Sequence, residues 1–289
     1  MVNKALCLLL AIMLSVPATL IYAQESGVRC MGNGLLAVYE RKADILQLFG
    51  PSYSAPSVMR VTLDSTINIQ SGRELHTAVW RHTLTRGGRT IATITDFVDA
   101  GLPCFVRRID ATDTFAMSLL LAPKTDTVHN AAEYGCPAAI LCKTPAGTYF
   151  YNTYPVPEEL RYQLIIQGNA SEVKGRITVS KGSSMMLVTG GPSYSELVTY
   201  TQQVLQTGVE AMQKRTIDHW VAFSKRRKPF ESTIPRQLPG REKLLQTIDD
   251  VSILLKTQQS RQGGVLDISD VVMGLPPPVR TSDKIYAAF

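Results

Sequence analysis

The chain has 289 residues, of which 45% are hydrophobic and 19% charged, with a formal net charge of +6. This is ordinary globular composition, sufficient for one large or two medium hydrophobic cores. It excludes disordered and collagen-like chains, and the scattered basic residues give no nucleic-acid-binding stripe.

The first stretch, MVNKALCLLLAIMLSVPATLIYAQ, has Lys4, an apolar run from Ala5 to Val16, a break at Pro17 and small residues up to Ala23. This is the pattern of a secretory signal peptide over 1–23, cleaved between Ala23 and Gln24. The run is too short and too interrupted for a membrane span of ~20 residues. No membrane anchor is therefore expected after cleavage, and the mature chain is expected to be exported. Cys30, Cys104, Cys136 and Cys142 would remain. An exporting route permits disulfides, and Cys136 and Cys142 flank a short loop they could close. Four cysteines allow three full pairings, and buried thiols are the alternative.

From 24 to 190 the pattern is strand after strand. LLAVYE, ILQLFG, SVMRVTL and STINIQ are short and bounded by Gly, Pro, Ser or Asp. HTAVWRHTLTRGGRTIATITDFV reads as a hairpin about Gly87-Gly88, with Ala78, Trp80, His82 and Leu84 on one face of its first strand. PCFVRRIDA, DTFAMSLLLAP, RYQLIIQG, VKGRITVS and SSMMLVTGG continue the series. No helical period interrupts them, so a mainly β fold is expected, a large antiparallel sandwich of two sheets rather than a parallel sheet.

The pattern changes after Gly190-Gly191-Pro192. Ser193 and Glu196 have the spacing of a capping box. Leu197, Val204, Leu205, Val209, Met212, Ile217, Trp220 and Phe223 then recur at helical spacing, with Gly208 as a point of division. A proline-rich connector completes a linker over 191–240. A second helix begins at 241, and Leu244, Ile248, Val251 and Leu255 give it an apolar stripe. Gly263-Gly264 ends it. The residues from 266 to 289, with three consecutive prolines, read as an irregular tail.

Three stretches carry a resemblance. They are the paired strands of HTAVWRHTLTRGGRTIATITDFVDAGLPCFVRRID, the Trp220–Phe223 aromatic pair in DHWVAFSK, and LLQTIDDVSILLKTQQSRQGGV. In the last, Lys256, Gln258, Gln259, Ser260, Gly263, Gly264 and Val265 stand at positions that match a helix-and-turn motif. Together they resemble the front of a glucoamylase-like glycoside hydrolase of the six-hairpin, (α/α)6-toroid superfamily. The resemblance implies a β-sandwich domain, a linker helix and, over 241–265, the first toroid helix. It also implies carbohydrate as partner and a role in carbohydrate metabolism. The aromatic-rich segment and Arg-Asp pair that follow this turn in such enzymes do not follow Val265, so a truncation or shifted reading frame after about Leu266 is expected. The catalytic carboxylates of such enzymes come from later toroid helices, so no catalytic residue carries over.

Other chemistry was sought in the residues themselves. Asp96 and Asp99 are three apart near a turn and read as turn chemistry. Glu158-Glu159 and Asp249-Asp250 read as surface charge, and Gly32-Asn33-Gly34 as a tight turn. His76, His82 and His219 read as structural residues, too dispersed to suggest zinc. The basic cluster from Lys225 to Lys228 reads as a solvated helix end. Trp80, Tyr149 and Tyr151 are the candidate sugar-binding residues, because aromatic rings offer flat apolar faces. No cofactor motif, metal site or nucleic-acid element is expected, and the oligomeric state is open. Two other functions fit the same pattern: a free-standing carbohydrate-binding β-sandwich and a secreted structural or adhesive β protein.

Overall fold

A computed structural model describes residues 28–50, 55–122, 140–143, 149–150, 154–155, 161–191, 194–226 and 231–261. Over 28–122 the strands are β1 (Val28–Gly32), β2 (Ala37–Arg41), β3 (Asp44–Gly50), β4 (Ala55–Leu63), β5 (Asn68–Arg73), β6 (Trp80–Arg86), β7 (Arg89–Val98), β8 (Cys104–Ala111) and β9 (Phe115–Ala122). Apart from β1, they fall on the stretches named from the sequence, short β-rich runs bounded by turn residues. Gly87 and Gly88 both have positive φ, as the β6–β7 turn requires. Next come β10 (Ile140–Lys143), β11 (Tyr149–Phe150) and β12 (Tyr154–Pro155), then two long strands, β13 (Arg161–Val173) and β14 (Arg176–Gly191). The three strands expected after 160 are therefore two. Gly168 and Gly182 are positive-φ points inside these continuous strands, with a register shift between Gly168 and Ala170.

The sheet is antiparallel and curls into a half-barrel. Its organiser is β14, which pairs along its whole length with β13. Its other edge serves two strands in succession: Arg176–Val179 pair with β9, and Gly182–Thr189 with β8. From that shared edge β8 and β9 diverge into two wings. One wing runs β8-β7-β6-β5 and the other β9-β4-β3-β2-β1. The two layers of the expected sandwich thus exist as wings of one hydrogen-bonded sheet, not as two separate sheets. Their inner faces enclose a single core that includes Met31, Val38, Ile45 and Val61 from one wing and Leu84, Ile94, Phe105 and Ile109 from the other.

Three helices follow among the described residues: α1 (Tyr194–Thr207), α2 (Val209–Lys225) and α3 (Arg241–Gln258). Gly208, with φ of 76°, divides α1 from α2, as the sequence suggested. Val204, Val209 and Met212 lie on the outer side of the β8 wing, against Phe97, Val106, Ile165 and Leu187. The wing is therefore covered on both faces. This explains why the ends of β7 and β8 read as continuous apolar runs rather than alternating ones. Trp220 packs edge-on against Phe223, with ring centroids 5.6 Å apart, and both join Ala78 and Ile253 in a second small core beneath α3. No helix among the described residues is long and apolar enough to cross a membrane.

Candidate functional site

Four ionisable side chains meet between the wings. Alternation along each strand turns Glu40 of β2 inward beside Val38, His82 of β6 beside Leu84, Asp96 of β7 beside Ile94, and Arg107 of β8 beside Phe105. All four side chains are fully buried. Arg107 donates from Nε to Asp96 Oδ1 at 3.0 Å and from Nη2 to Asp96 Oδ2 at 2.6 Å. The same Nη2 donates to the Ala43 carbonyl at 2.6 Å, so the guanidinium reaches from one wing into the β2–β3 turn of the other. His82 Nε2 lies 3.4 Å from Glu40 Oε1 and 3.4 Å from Asp96 Oδ2, and its Nδ1 is 2.8 Å from Ser71 Oγ on β5.

The environment sets the charges. Burial works against the ionised form of Asp96, but the adjacent Arg107 and His82 outweigh it and hold the carboxyl down at about 2. Burial likewise opposes a charged His82, yet the Asp96 and Glu40 carboxylates 3.4 Å from its Nε2 raise it to about 9. Burial raises the Glu40 carboxyl, because neither of its oxygens receives a short hydrogen bond. Of the four, the sequence marks out only His82, as structural, and Asp96, as turn chemistry. That reading is corrected here: Asp96 sits mid-strand, paired directly opposite Arg107. The inward face of an otherwise apolar strand was the signal that could have found it.

Glu40, His82 and Asp96 also offer ligand atoms within 4.8 Å of one another, a donor set that suits a divalent cation. Arg107 weighs against that use. Its guanidinium already occupies both oxygens of Asp96, and two carboxylates cannot neutralise a dication as well as an arginine in a dry site.

A second set of polar contacts holds the helices on the sheet. Arg215 of α2 donates from Nε to Asp99 Oδ1 at 2.6 Å and also pairs with Oδ2. Asp99 Oδ2 accepts from the Gly101 and Leu102 amides, so Asp99 does carry the expected turn chemistry. Asp249 is buried, not surface charge. It pairs with His76 at 3.1 Å and accepts from Ser224 Oγ at 2.8 Å, while Asp250 pairs with Arg73. The buried positions of α3 are Asp249, Ile253, Thr257 and Gln258. The stripe of Leu244, Ile248, Val251 and Leu255 is only half-buried. Helix α3 therefore docks through a mixed face, Ile253 flanked by the polar Asp249, Thr257 and Gln258.

The Lys256–Ser260 motif has a physical role in this docking. Cys30 Sγ donates to the Thr257 carbonyl, Gln258 and Ser260 are buried, and the Arg261 amide donates to the Gly34 carbonyl at 3.1 Å. Asn33 bridges to the next turn, its Nδ2 donating to the Asp99 and Leu102 carbonyls. The turn at Gly32-Asn33-Gly34, read as a turn alone, is thus the dock for the end of α3.

The candidate sugar-binding residues do not come together on described side chains. Trp80 is half-buried against the inner core, and the Arg29 guanidinium lies 4.2 Å from its ring centroid. Tyr149 lies in the short β11–β12 pair, apart from the main sheet, and Tyr151 lies outside the described residues. So do Ala23, Gln24, Cys136, Ser193, Glu158, Glu159 and the tail from 266. Cys142 lies in β10, its backbone opposite Tyr162. Cys30 and Cys104 are buried free thiols, each pushed up to about 12 by burial.

No family model and no curated protein matches the chain. Among solved structures it is similar to a bacterial glucoamylase complexed with acarbose. The identity is 10%, the TM-score 0.55, and the match covers 83% of this chain and 42% of that one. The fold is glucoamylase-like. At this identity the likeness is one of fold, and the chain spans less than half the length of the protein it matches.

Proposed function

We infer that the chain is the N-terminal β part of an exported glycoside hydrolase acting in carbohydrate metabolism. The two-winged sheet is the platform and α3 the first helix of an (α/α)6 domain. One observation carries the reading: the fold likeness to a glucoamylase extends over 83% of this chain but only 42% of that protein. The buried dock formed by Gly34, Thr257, Gln258 and Ser260 supports it, since it fixes the direction in which α3 leaves the sheet.

On this reading the chain alone is catalytically inactive. Glycoside hydrolysis uses two carboxyl groups about 5–9.5 Å apart across a cleft. The acidic pairs read from the sequence that lie on described residues are engaged elsewhere: Asp96 by Arg107, Asp99 by Arg215, Asp249 by His76 and Ser224, and Asp250 by Arg73; Glu40, beside Asp96, is fully buried in the core and lines no cleft. The partner is carbohydrate, and acarbose, bound by the glucoamylase, indicates an oligosaccharide class. The test is the gene itself. Reading the three frames after codon 289 is expected to reveal a helix-rich segment with paired acidic residues; its absence from every frame would overturn the proposal.

A further inference from the structure

The cluster between the wings can be balanced by counting formal charges. Asp96 and Arg107 cancel through short, paired hydrogen bonds. Glu40 and His82 remain, both fully buried. The cations nearest Glu40 are His82 Nε2 at 3.4 Å, Arg29 Nη1 at 3.7 Å and Arg107 Nη2 at 3.9 Å. Arg29, on β1, is the only one of these that reaches solvent, and it is shared with the Trp80 ring. Asp44 of β3 faces the same region from behind Arg107, but its Oδ1 is taken by the Leu63 amide. Met117 on β9 offers only a thioether sulfur to Arg107.

An ionised Glu40 beside a neutral His82 would be left to Arg29 at 3.7 Å, a cation that is partly solvated and shared with the Trp80 ring, and so would be poorly compensated in a dry core. An imidazolium with a carboxylate leaves no such charge, and neither does a neutral imidazole with a carboxylic acid. Both arrangements contain one proton between Glu40 Oε1 and His82 Nε2, and in both Nδ1–H donates to Ser71 Oγ. A divalent cation in the same place would leave a net positive charge beside Arg107 and Arg29.

We propose that Glu40 and His82 share one buried proton, and that this proton is the latch that keeps the seam between the two wings neutral and closed. The donor atoms come from both wings, Glu40 from one and His82, Asp96 and Arg107 from the other. Losing the proton therefore leaves the Glu40 charge where the wings meet to the more distant Arg29 and Arg107. The raised positions of Glu40 and His82 agree with this direction.

The test uses the full chain with 15N-labelled histidine, followed from pH 6 to pH 10 alongside thermal melting, with and without EDTA. The His82 ring signals are expected to stay constant between pH 6 and 8. They should change only at higher pH, whereas Tm should already fall by roughly 3–5 °C per pH unit between about 6.5 and 9 and level off once the ring titrates. Glu40→Gln, which cannot ionise, is expected to flatten that alkaline fall. Titration of His82 near the ordinary 6.5 would overturn the proposal. So would an unchanged alkaline fall in Glu40→Gln, or a stoichiometric metal whose removal by EDTA lowers Tm. If the variant does not fold, the wild-type titration and EDTA arm decide.

Discussion

Arg107 and Asp96 are register partners on β8 and β7, and the guanidinium that pairs with Asp96 also donates to the Ala43 carbonyl of the opposite wing. One side chain thus closes a cross-strand ion pair and ties the two halves of the sheet together. Removing one member of a buried pair leaves an uncompensated charge. Arg107→Met or Asp96→Asn is therefore expected to cost roughly 3–5 kcal/mol, or about 10 °C in Tm. Thermal melting of each variant checks this. The double replacement should cost less than the sum of the two, because it leaves no orphan charge.

Stability should fall on both sides of neutrality. Asp96, held at about 2 in the fold against ~3.9 when unfolded, stabilises the protein above that unfolded value. Its contribution is lost as pH drops from ~4 towards 2. His82, raised to about 9, stabilises the fold fully below ~6.5, and that contribution is lost as pH rises through about 9. Denaturant unfolding midpoints across pH 2–10 should trace both limbs, and Asp96→Asn should remove the acid one.

The helices should detach before the sheet opens. Arg215 is 38% exposed and its partner Asp99 fully buried, so solvent screening limits what the pair contributes and Arg215→Ala should cost about 1 kcal/mol. Its larger effect is expected to be local. Hydrogen exchange of the α2 amides should accelerate, while the amides of β7 and β8 keep their protection.

Gly34 occupies a backbone position, φ of 86°, where a Cβ would lie 2.9 Å from Arg261 Cγ and 3.1 Å from the Arg261 amide nitrogen. Gly34→Ala is expected to cost roughly 1–2 kcal/mol and to loosen the end of α3. Trypsin should then cleave after Arg261 several-fold faster than in the wild type, as read by mass spectrometry.

Much of this fold is legible in the sequence, and its limits follow from physics. The hairpin of β6 and β7 and the division at Gly208 come from local turn chemistry and periodicity. The fusion of the later strands into β13 and β14 does not, because a glycine that bends a strand looks the same as one that ends it. The cluster of Glu40, His82, Asp96 and Arg107 is non-local, since its members lie on four strands whose pairing no short window reveals. Likewise, the apolar stripe of α3 does not reveal which face docks on the sheet. Asp249 and Thr257 are buried because partners on other elements satisfy them, and hydrophobicity alone cannot see such partners.

The claim on which the functional reading rests is that this β platform belongs to a glycoside hydrolase and does not itself hydrolyse. Release of reducing sugar from a panel of α-glucans and oligosaccharides tests it most directly, measured for residues 1–289 and for the product extended through the downstream coding segment. The account predicts no release by the shorter protein and release by the extended one. Hydrolysis by residues 1–289 alone, or none by either protein, would contradict it.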